Sequence, residues 1–340
     1  MDDGRERSFF EEYIGQRASS FVLLAQSGSA RKNFLATVGD SKFIVTSNGN
    51  LAENESFFYF SDQFSSLKLN VPRIFAISPD REIYVQEFLG KNTLSEIIAA
   101  EGLSVRTEKL VKQSIEKLCH LQKSTLLGID YSKTFEYMRY DDLPVMNDLF
   151  YFKSFIGDVL EIPYHKTTLL KEFKKLAAEI ENQQPQGLMI RDFQARNIMV
   201  NNNDEVFFID YQSAMEGPLM YDVVSFLYQA KADFPAEFKA EMIEYYFSLW
   251  NDVQTVEKLK VSLQPIILIR YLQVLGAYGF RGLVQRKEHF LDSLSKGIKN
   301  LNHFAETSEI METLPELKKL AMALDTKSTQ EKIETMIQGT

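Results

Sequence analysis

The segment from Leu188 to Gln212, LMIRDFQARNIMVNNNDEVFFIDYQ, constrains the fold more strongly than any other part of this 340-residue chain. Three short apolar runs within it predict strands: 188–190, 198–200 and 206–209. Asp192 and Asp210 follow the first and third runs, and Asn197 directly precedes the second. An Asn-Asn-Asn-Asp run between the second and third strands predicts a hairpin turn. The segment therefore predicts two tight loops that bring Asp192, Asn197 and Asp210 to one edge.

These three side chains match the needs of phosphoryl transfer. That reaction requires a carboxylate that orients the attacking hydroxyl and accepts its proton, and oxygen ligands that hold Mg²⁺ on the nucleotide phosphates. Asp192 is the predicted base, and Asn197 and Asp210 are the predicted magnesium ligands. The competing interpretation is that all three are ordinary turn residues, since Asp and Asn are common in loops.

Two short segments, RDFQARN and FFIDYQ, resemble the catalytic and metal-binding segments of the protein-kinase-like superfamily, in its aminoglycoside phosphotransferase branch. The later run GPLMYD resembles the start of a helix in that branch. Within the branch, the chain most resembles the bacterial N-acetylmuramate/N-acetylglucosamine anomeric kinases and their relatives. The resemblance implies that Asp222, in this run, and Arg191, beside the predicted base, support the catalytic loop structurally.

The fold implied by the resemblance is α+β and bilobal, with the ATP cleft between the lobes. A small antiparallel, β-rich nucleotide-binding lobe is expected at 1–89, and a larger, mainly helical catalytic and substrate lobe at 90–312. A terminal helix and a polar tail, expected to be frayed from residue 326, make up 313–340. Hydrophobic periodicity agrees, because alternating segments between residues 20 and 46 predict strands and helical spacing dominates after residue 94.

Nucleotide contacts are expected at two places in the first lobe. The first is a small turn whose backbone N–H groups could bind phosphate oxygens: Ser27, Gly28 and Ser29. The second is the hinge between the lobes, where the adenine edge would bind: Gln86, Glu87, Phe88 and Leu89. Small hairpin turns are common in all folds, and the two apolar hinge residues could equally be part of the core.

The chain departs from the superfamily pattern at two positions. The strand ending in FIVTS has no lysine where the phosphate-pairing lysine is expected. Arg31 or Lys32 could supply the positive charge, although the spacing favours solvated turn residues. Glu53 and Glu55 open the next helix at the position of the lysine's carboxylate partner, and stabilisation of the helix dipole explains them equally well. Ile190 replaces a histidine of most relatives, which predicts that the catalytic loop is held by apolar packing.

Three further residues are candidates for contact with the substrate. Arg196, beside Asn197, could meet an acceptor or phosphate oxygen, or form a salt bridge with a surface carboxylate. Gln212 could bind substrate or only order its loop. Arg281, in the segment AYGFRG, is placed at the acceptor site by resemblance alone.

Composition narrows the class of protein. A net charge of −9 argues against binding to nucleic acid. Cys119 is the only cysteine, so no intramolecular disulfide can form and a cytoplasmic location is predicted. No membrane segment is predicted, because the most apolar late stretch, 266–275, is short and interrupted by Arg270 and Gln273. Nothing in the sequence indicates an obligatory protein partner.

These inferences predict an ATP- and Mg²⁺-dependent phosphotransferase that acts on a small molecule. The resemblance favours an amino-sugar hydroxyl as the acceptor, as in the recycling of cell-wall sugars. A kinase for another small hydroxyl compound is one alternative. The other is a catalytically impaired pseudokinase that binds nucleotide as a regulatory module, which the missing lysine and Ile190 would favour.

Overall fold

The computed structural model describes residues 4–25, 31–287 and 290–338. Contacts divide the chain into two compact units, one made of Met1–Met138 and Ile190–Met215, the other of Arg139–Met189 and Glu216–Thr340. Each unit is a set of residues that contact one another more than they contact the rest of the chain. The lobe boundaries predicted from the sequence stay a prediction. The hairpin that carries Asp192, Asn197 and Asp210 belongs to the first unit.

A five-stranded antiparallel sheet forms the N-terminal part of the first unit, with strand order β1-β2-β3-β5-β4. Its strands are β1 (Ser20–Leu23), β2 (Lys32–Val38), β3 (Ser41–Ser47), β4 (Ile74–Ile77) and β5 (Ile83–Glu87). Alternation places Phe34, Ala36, Val45, Ile83 and Val85 in one buried cluster. Helix α1 (Gly4–Ile14) covers that cluster with a phenylalanine, Phe10.

Helix α2 (Leu51–Ser66) follows the third strand of this sheet. The side chain of Asn50 caps it by accepting a hydrogen bond from the N–H of Glu53. Its buried side includes Phe57, Phe60 and Phe64. The helix is therefore fixed at its first turn and along one apolar side, which determines where Glu53 lies.

A second, three-stranded sheet has the order β6-β8-β9. Its strands are β6 (Asn92–Thr93), β8 (Ile198–Val200) and β9 (Val206–Phe208). The last two form the predicted hairpin, in the register that pairs Ile198 with Phe208 and Val200 with Val206. The unit also contains helices α3 (Leu94–Glu101) and α4 (Val105–Ser124). The bounds of both hairpin strands agree with the apolar runs to within one residue.

The second unit is mainly helical. Its helices are α5 (Asp142–Phe152), α6 (Lys166–Glu181), α7 (Met220–Leu227), α8 (Ala236–Ser248), α9 (Val253–Tyr278), α10 (Leu291–Thr307), α11 (Pro315–Leu324) and α12 (Lys327–Gln338). Strands β7 (Gln186–Met189) and β10 (Met215–Pro218) form a two-stranded sheet. Two π-helical segments, Lys153–Asp158 and Gly279–Val284, extend α5 and α9.

Helix α9 is longer than the apolar stretch predicted around residues 266–275. Together with the π-helical segment it spans Val253–Val284, and by length and composition alone it could cross a membrane. However, 56% of the apolar window is buried inside the protein, and the core helix of a soluble protein meets the same test. Its apolar residues are thus largely used for packing within the second unit.

The prediction of a frayed polar tail from residue 326 is wrong, because most of it forms helix α12. The hydroxyl of Thr326 accepts a hydrogen bond from the N–H of Thr329, which satisfies a donor of the first turn. Lys332 forms an ion pair with Glu161. The segment is therefore helical despite its polar composition, with a capped first turn and a side chain that is anchored to Glu161.

Candidate active site

The loops on either side of the β8–β9 hairpin bring together Asp192, Asn197 and Asp210, named here the polar cluster. The side-chain nitrogen of Asn197 donates to the backbone oxygen of Asp192 at 2.9 Å and to Oδ2 of Asp210 at 3.3 Å. The N–H of Ile209 donates to the carbonyl of Asn197 at 3.0 Å. Asn197 therefore links the two aspartate loops, as the spacing predicted.

Two residues of these loops have left-handed backbone conformations that are costly for side chains other than glycine. Arg191, directly before Asp192, has φ +70°, and Asp210 itself has φ +64°. Strain of this kind persists only where the surrounding structure imposes it, and it is concentrated at functional sites. Both aspartate loops therefore contain a backbone conformation that the surrounding structure must hold in place.

Apolar packing holds the Asp192 loop, as predicted from the isoleucine that replaces a histidine. Ile190 is almost completely buried. Phe193 packs edge-on against Phe208 of β9, with ring centroids 4.8 Å apart. Arg191 lies over the ring of Tyr137 and has an amino group 3.5 Å from a carboxylate oxygen of Glu136, which fits its predicted supporting role.

The carboxylate of Asp192 is held by two polar side chains of its own loop. The side-chain nitrogen of Gln194 donates to Oδ1 at 2.8 Å. Arg196 donates to Oδ2 at 3.0 Å. Arg196 therefore forms a salt bridge, as one of its two predicted roles required, and its partner is the predicted base itself.

The carboxylate of Asp210 has a denser set of partners. Oδ1 accepts hydrogen bonds from Arg31 at 2.9 Å and from the side-chain nitrogen of Gln212 at 3.0 Å. The same amino group of Arg31 lies 3.0 Å from Oε1 of Glu53. The backbone oxygen of Gln212 accepts a bond from Ser56 at 2.7 Å. Gln212 therefore orders this loop, which was one of its two predicted roles.

Arg31 is not the solvated turn residue that the spacing favoured. Its side chain is only 15% exposed, whereas Lys32 is exposed. Burial by itself lowers the pKa of Arg31, but the carboxylates of Asp210 and Glu53 and the hydrogen bond to Asp210 raise that pKa above its usual value. The alternative that Arg31 supplies positive charge at the site is consistent with this position.

Helix α2 is attached directly to the Asp210 loop. The ring of Tyr211 stacks on Phe57, with centroids 5.1 Å apart. Its hydroxyl is 2.7 Å from the hydroxyl of Ser61. Burial raises the pKa of Tyr211, so it acts as a neutral hydrogen-bonding group. The position of Glu53 is consequently coupled to that of Asp210 through several buried contacts.

The donor set of the polar cluster fits Mg²⁺. Asp210 offers a carboxylate, and the side chain of Asn197 bonds to Asp192 and Asp210 through its nitrogen, so its side-chain oxygen is the atom that could bind a metal. Mg²⁺ takes oxygen ligands and commonly uses one or two protein side chains together with substrate phosphates. Among the described residues, no group of three or more His, Cys, Asp or Glu side chains forms a metal site.

The predicted nucleotide contacts are only partly within the described chain, since Ser27, Gly28 and Ser29 lie outside it. The N–H of Glu87 donates to the carbonyl of Arg73, so this amide belongs to the sheet. Gln86 donates to the hydroxyl of Thr46 at 3.0 Å, and Lys42 lies over the ring of Phe88. Leu89 is buried. The adenine-binding role of these residues stays a prediction.

Two predicted residues belong to the second unit. Asp222 is completely buried in α7, as a supporting residue would be. The guanidinium of Arg281 lies 5.2 Å from the ring centroid of Phe290, on the π-helical segment after α9. Their predicted roles toward the catalytic loop and the acceptor stay predictions.

One site residue, Gln194, escaped prediction although the sequence contained a signal for it. Asp-Phe-Gln at 192–194 and Asp-Tyr-Gln at 210–212 share one pattern. In both, the aromatic residue is buried and the glutamine donates to the preceding aspartate. A repeated Asp-aromatic-Gln would have identified both glutamines as groups that orient a carboxylate.

An antiparallel sheet with a following helical part, and a hairpin flanked by two aspartates and an asparagine, are consistent with phosphoryl transfer. The family and relatives that follow identify the protein as a kinase that acts on a hydroxyl group. The chain belongs to the phosphotransferase enzyme family (APH), whose model matches residues 22–259, more than half of its length. The predicted membership and the protein-kinase-like α+β fold are thereby confirmed.

Three similar proteins illustrate the family. An N-acetylmuramate/N-acetylglucosamine kinase of Neisseria meningitidis serogroup B is 22% identical over 71% of both chains. A protein of the same description from Pseudomonas aeruginosa is 20% identical over 93% of this chain and 95% of its own. The solved streptomycin-ATP-APH(2")-IIa ternary complex has a TM-score of 0.60 at 18% identity, covering 85% of this chain and 98% of the other.

Proposed function

We propose that this kinase transfers the γ-phosphoryl group of ATP, with Mg²⁺, to a hydroxyl group of an amino sugar. The observation that carries the proposal is the polar cluster, in which Asn197 joins the Asp192 and Asp210 loops through bonds of 2.9 and 3.3 Å. Its oxygen atoms match the base and the metal ligands that phosphoryl transfer requires.

In the proposed reaction, Asp192 accepts a hydrogen bond from the acceptor hydroxyl and then its proton. The hydroxyl oxygen forms a bond to the γ-phosphorus as the bond to the β,γ-bridging oxygen breaks, and ADP leaves with that electron pair. Gln194 and Arg196 fix the carboxylate of Asp192 before the substrate arrives. Such fixed orientation accounts for much of the rate in positioning-dependent catalysis.

Asp210 and Asn197 would hold Mg²⁺, which when bound neutralises charge on the transferred phosphoryl group. Gln212 and Asn197 each donate to one oxygen of Asp210 and so fix the plane of its carboxylate.

The amino-sugar acceptor is supported by the two relatives described as N-acetylmuramate/N-acetylglucosamine kinases. Their identity of 20–22% leaves room for a different acceptor, and the streptomycin complex of the related fold makes an aminoglycoside the natural comparison. A cytoplasmic location and action without a protein partner belong to the same proposal.

A screen of acceptors tests the proposal. Purified protein with Mg²⁺-ATP is incubated with N-acetylmuramate, N-acetylglucosamine, glucosamine, choline, ethanolamine and streptomycin, and both ADP release and phosphorylated product are measured. We expect transfer to an N-acetylated amino sugar to exceed transfer to the other compounds. Preference for another alcohol would refute the amino-sugar assignment. Tight Mg²⁺-ATP binding with transfer to none of them would favour the pseudokinase alternative.

A further inference from the structure

Strand β3 has no lysine at its C-terminal end, where the phosphate-pairing lysine is expected. At that end of β3, Thr46 is buried and donates to Asn33 of β2 at 2.8 Å while it accepts from Gln86. The position expected for the lysine is therefore occupied by three neutral side chains that are hydrogen-bonded to one another: Asn33, Thr46 and Gln86. Lys42, the one lysine on the strand, is exposed at the far end. Binding of a nucleoside triphosphate nevertheless requires a positive group close to the phosphates, which offsets their negative charge.

Resting on the proposed function, we propose that Arg31 contacts the phosphate groups of the bound nucleotide in place of the strand lysine, with Glu53 as its positioning residue. Arg31 lies directly before β2 and reaches the polar cluster from the neighbouring strand. One of its amino groups lies 2.9 Å from Asp210 and 3.0 Å from Glu53. An arginine can bind phosphate oxygens through two N–H groups at once.

The charges around Arg31 explain how it could serve the nucleotide. One guanidinium lies between two carboxylates, so this group of three carries a net negative charge. When a divalent cation and nucleotide phosphates enter, Asp210 is needed as a metal ligand, and its bond to Arg31 competes with that role. Glu53 is held by Asn48 at 2.9 Å on its other oxygen, so it keeps Arg31 at the site when the bond to Asp210 is given up.

The same helix provides a matched control pair. Glu55 lies two residues after Glu53 on α2 and pairs with Arg81. The side chains of Arg31 and Glu53 are 15% and 16% exposed, whereas those of Arg81 and Glu55 are 44% and 50% exposed. Both pairs join one α2 glutamate to a distant arginine, but only the arginine of the first pair, Arg31, also contacts a residue of the polar cluster, Asp210.

The test measures nucleotide binding, which does not depend on the acceptor. Affinities for Mg²⁺-ATP, Mg²⁺-ADP and adenosine are determined by titration calorimetry for wild type and for Arg31→Ala, Arg31→Lys and Glu53→Gln. We expect Arg31→Ala to weaken ATP and ADP binding by about 10- to 100-fold, the range for hydrogen bonds to charged groups, with adenosine unchanged. Arg31→Lys should recover part of the loss, and Glu53→Gln should show a smaller one.

Glu55→Gln and Arg81→Lys serve as controls and should bind all three ligands like the wild type. Equal loss of ATP and adenosine affinity would mean a structural role for Arg31 and overturn the proposal, as would wild-type ATP affinity in a folded Arg31→Ala. If Arg31→Ala does not fold, Arg31→Lys and Glu53→Gln test the proposal without it. Wild-type ATP affinity in both of these variants would then refute the proposal. If Arg31→Ala loses affinity for ATP and ADP but not for adenosine, and the wild type phosphorylates no acceptor, the role of Arg31 is upheld and the proposed kinase reaction is refuted.

Discussion

The two ends of the β8–β9 hairpin carry similar residues with different surroundings. At one end Asp210 has φ +64° and pairs with Arg31; at the other Asp204 has φ +57° and pairs with Arg106. Both arginines come from far along the chain. Composition and backbone conformation alone would therefore not distinguish the two ends.

The two ends of the hairpin differ in the hydrogen-bond partners of their polar side chains. At the turn, Oδ1 of Asn201 accepts from the N–H groups of Asn203 and Glu205, so its side chain satisfies the backbone. The nitrogen of Asn201 donates to the exposed carboxylate of Glu205. At the site, the side chains of Asn197 and Gln212 both donate to one carboxylate, that of Asp210, which also pairs with Arg31. The ends therefore differ because several side chains converge on a single carboxylate only at the site.

Replacing the predicted base should give the largest contrast between the two ends. Asp192→Asn keeps the size of the side chain but removes the proton acceptor, so we expect a loss of at least about 10³-fold in kcat, within the range for a general base. Affinity for Mg²⁺-ATP should stay close to that of the wild type. Steady-state kinetics with the preferred acceptor and calorimetric titration of nucleotide measure both quantities.

Asp204→Asn is the matched change at the turn end and should leave kcat within about twofold, since a surface substitution rarely affects more than local stability. A similar kcat in Asp192→Asn and the wild type would show that Asp192 is not the base.

Removal of the predicted metal ligand should produce the next largest effect. Magnesium is expected to raise the affinity for ATP in the wild type, and Asp210→Ala should abolish that increase because Asn197 alone is a poor site for a divalent cation. Thermal shift with ATP in the presence of Mg²⁺ or EDTA gives the comparison. Asp204→Ala should retain the full magnesium effect, and an intact magnesium effect in Asp210→Ala would contradict the assignment.

The sequence predicted the hairpin well because its signals are local. Apolar runs, an Asn-rich turn and the Asp-to-Asn spacing all lie within about 25 residues, where strand and turn preferences act directly. The sequence did not predict the contact of Arg31 with Asp210, because the two residues are 179 positions apart and hydrophobic periodicity contains no information on such distant contacts. Helix α12 was missed for a different reason, since its cap at Thr326 was present in the sequence but outweighed by polar composition.

Gly90 tests how tightly the turn end is packed. It has φ +133°, and an added Cβ would lie 2.7 Å from the backbone oxygen of Val200 and 3.3 Å from Cα of Asn201. Gly90→Ala should therefore destabilise the protein by about 2 kcal/mol or more, from backbone strain together with overpacking. Urea unfolding followed by circular dichroism measures the free energy of unfolding.

Gly102→Ala is the control, because Gly102 also has a left-handed φ of +61° but open space around its Cβ position. Its cost should be limited to about 1–3 kcal/mol of backbone strain, because φ +61° with ψ −148° is a conformation that residues other than glycine rarely adopt. Equal costs for both variants would mean that the contact with the hairpin contributes nothing.

The Arg106–Asp204 pair should have the smallest effect, and that effect should depend on pH. The hydrogen bond from Arg106 lowers the pKa of Asp204 below its usual value, so the folded state favours the ionised form. The pair therefore stabilises the protein above the unfolded-state pKa of about 3.9, and this contribution disappears as the pH falls through the lower, folded-state pKa. Because both side chains are more than 40% exposed, we expect a coupling of only about 0.2–1 kcal/mol at pH 7.

A double-mutant cycle of Arg106→Ala and Asp204→Asn, measured by urea unfolding at pH 7 and pH 3.5, gives that coupling directly. It should shrink at the lower pH and also in 0.5 M salt, because exposed charges are screened. The less exposed Arg31–Asp210 pair at the other end should instead affect nucleotide affinity. A coupling above 2 kcal/mol at the turn, or loss of ATP binding in Arg106→Ala, would mean that the turn end is more than a structural support and that the distinction between the two ends fails.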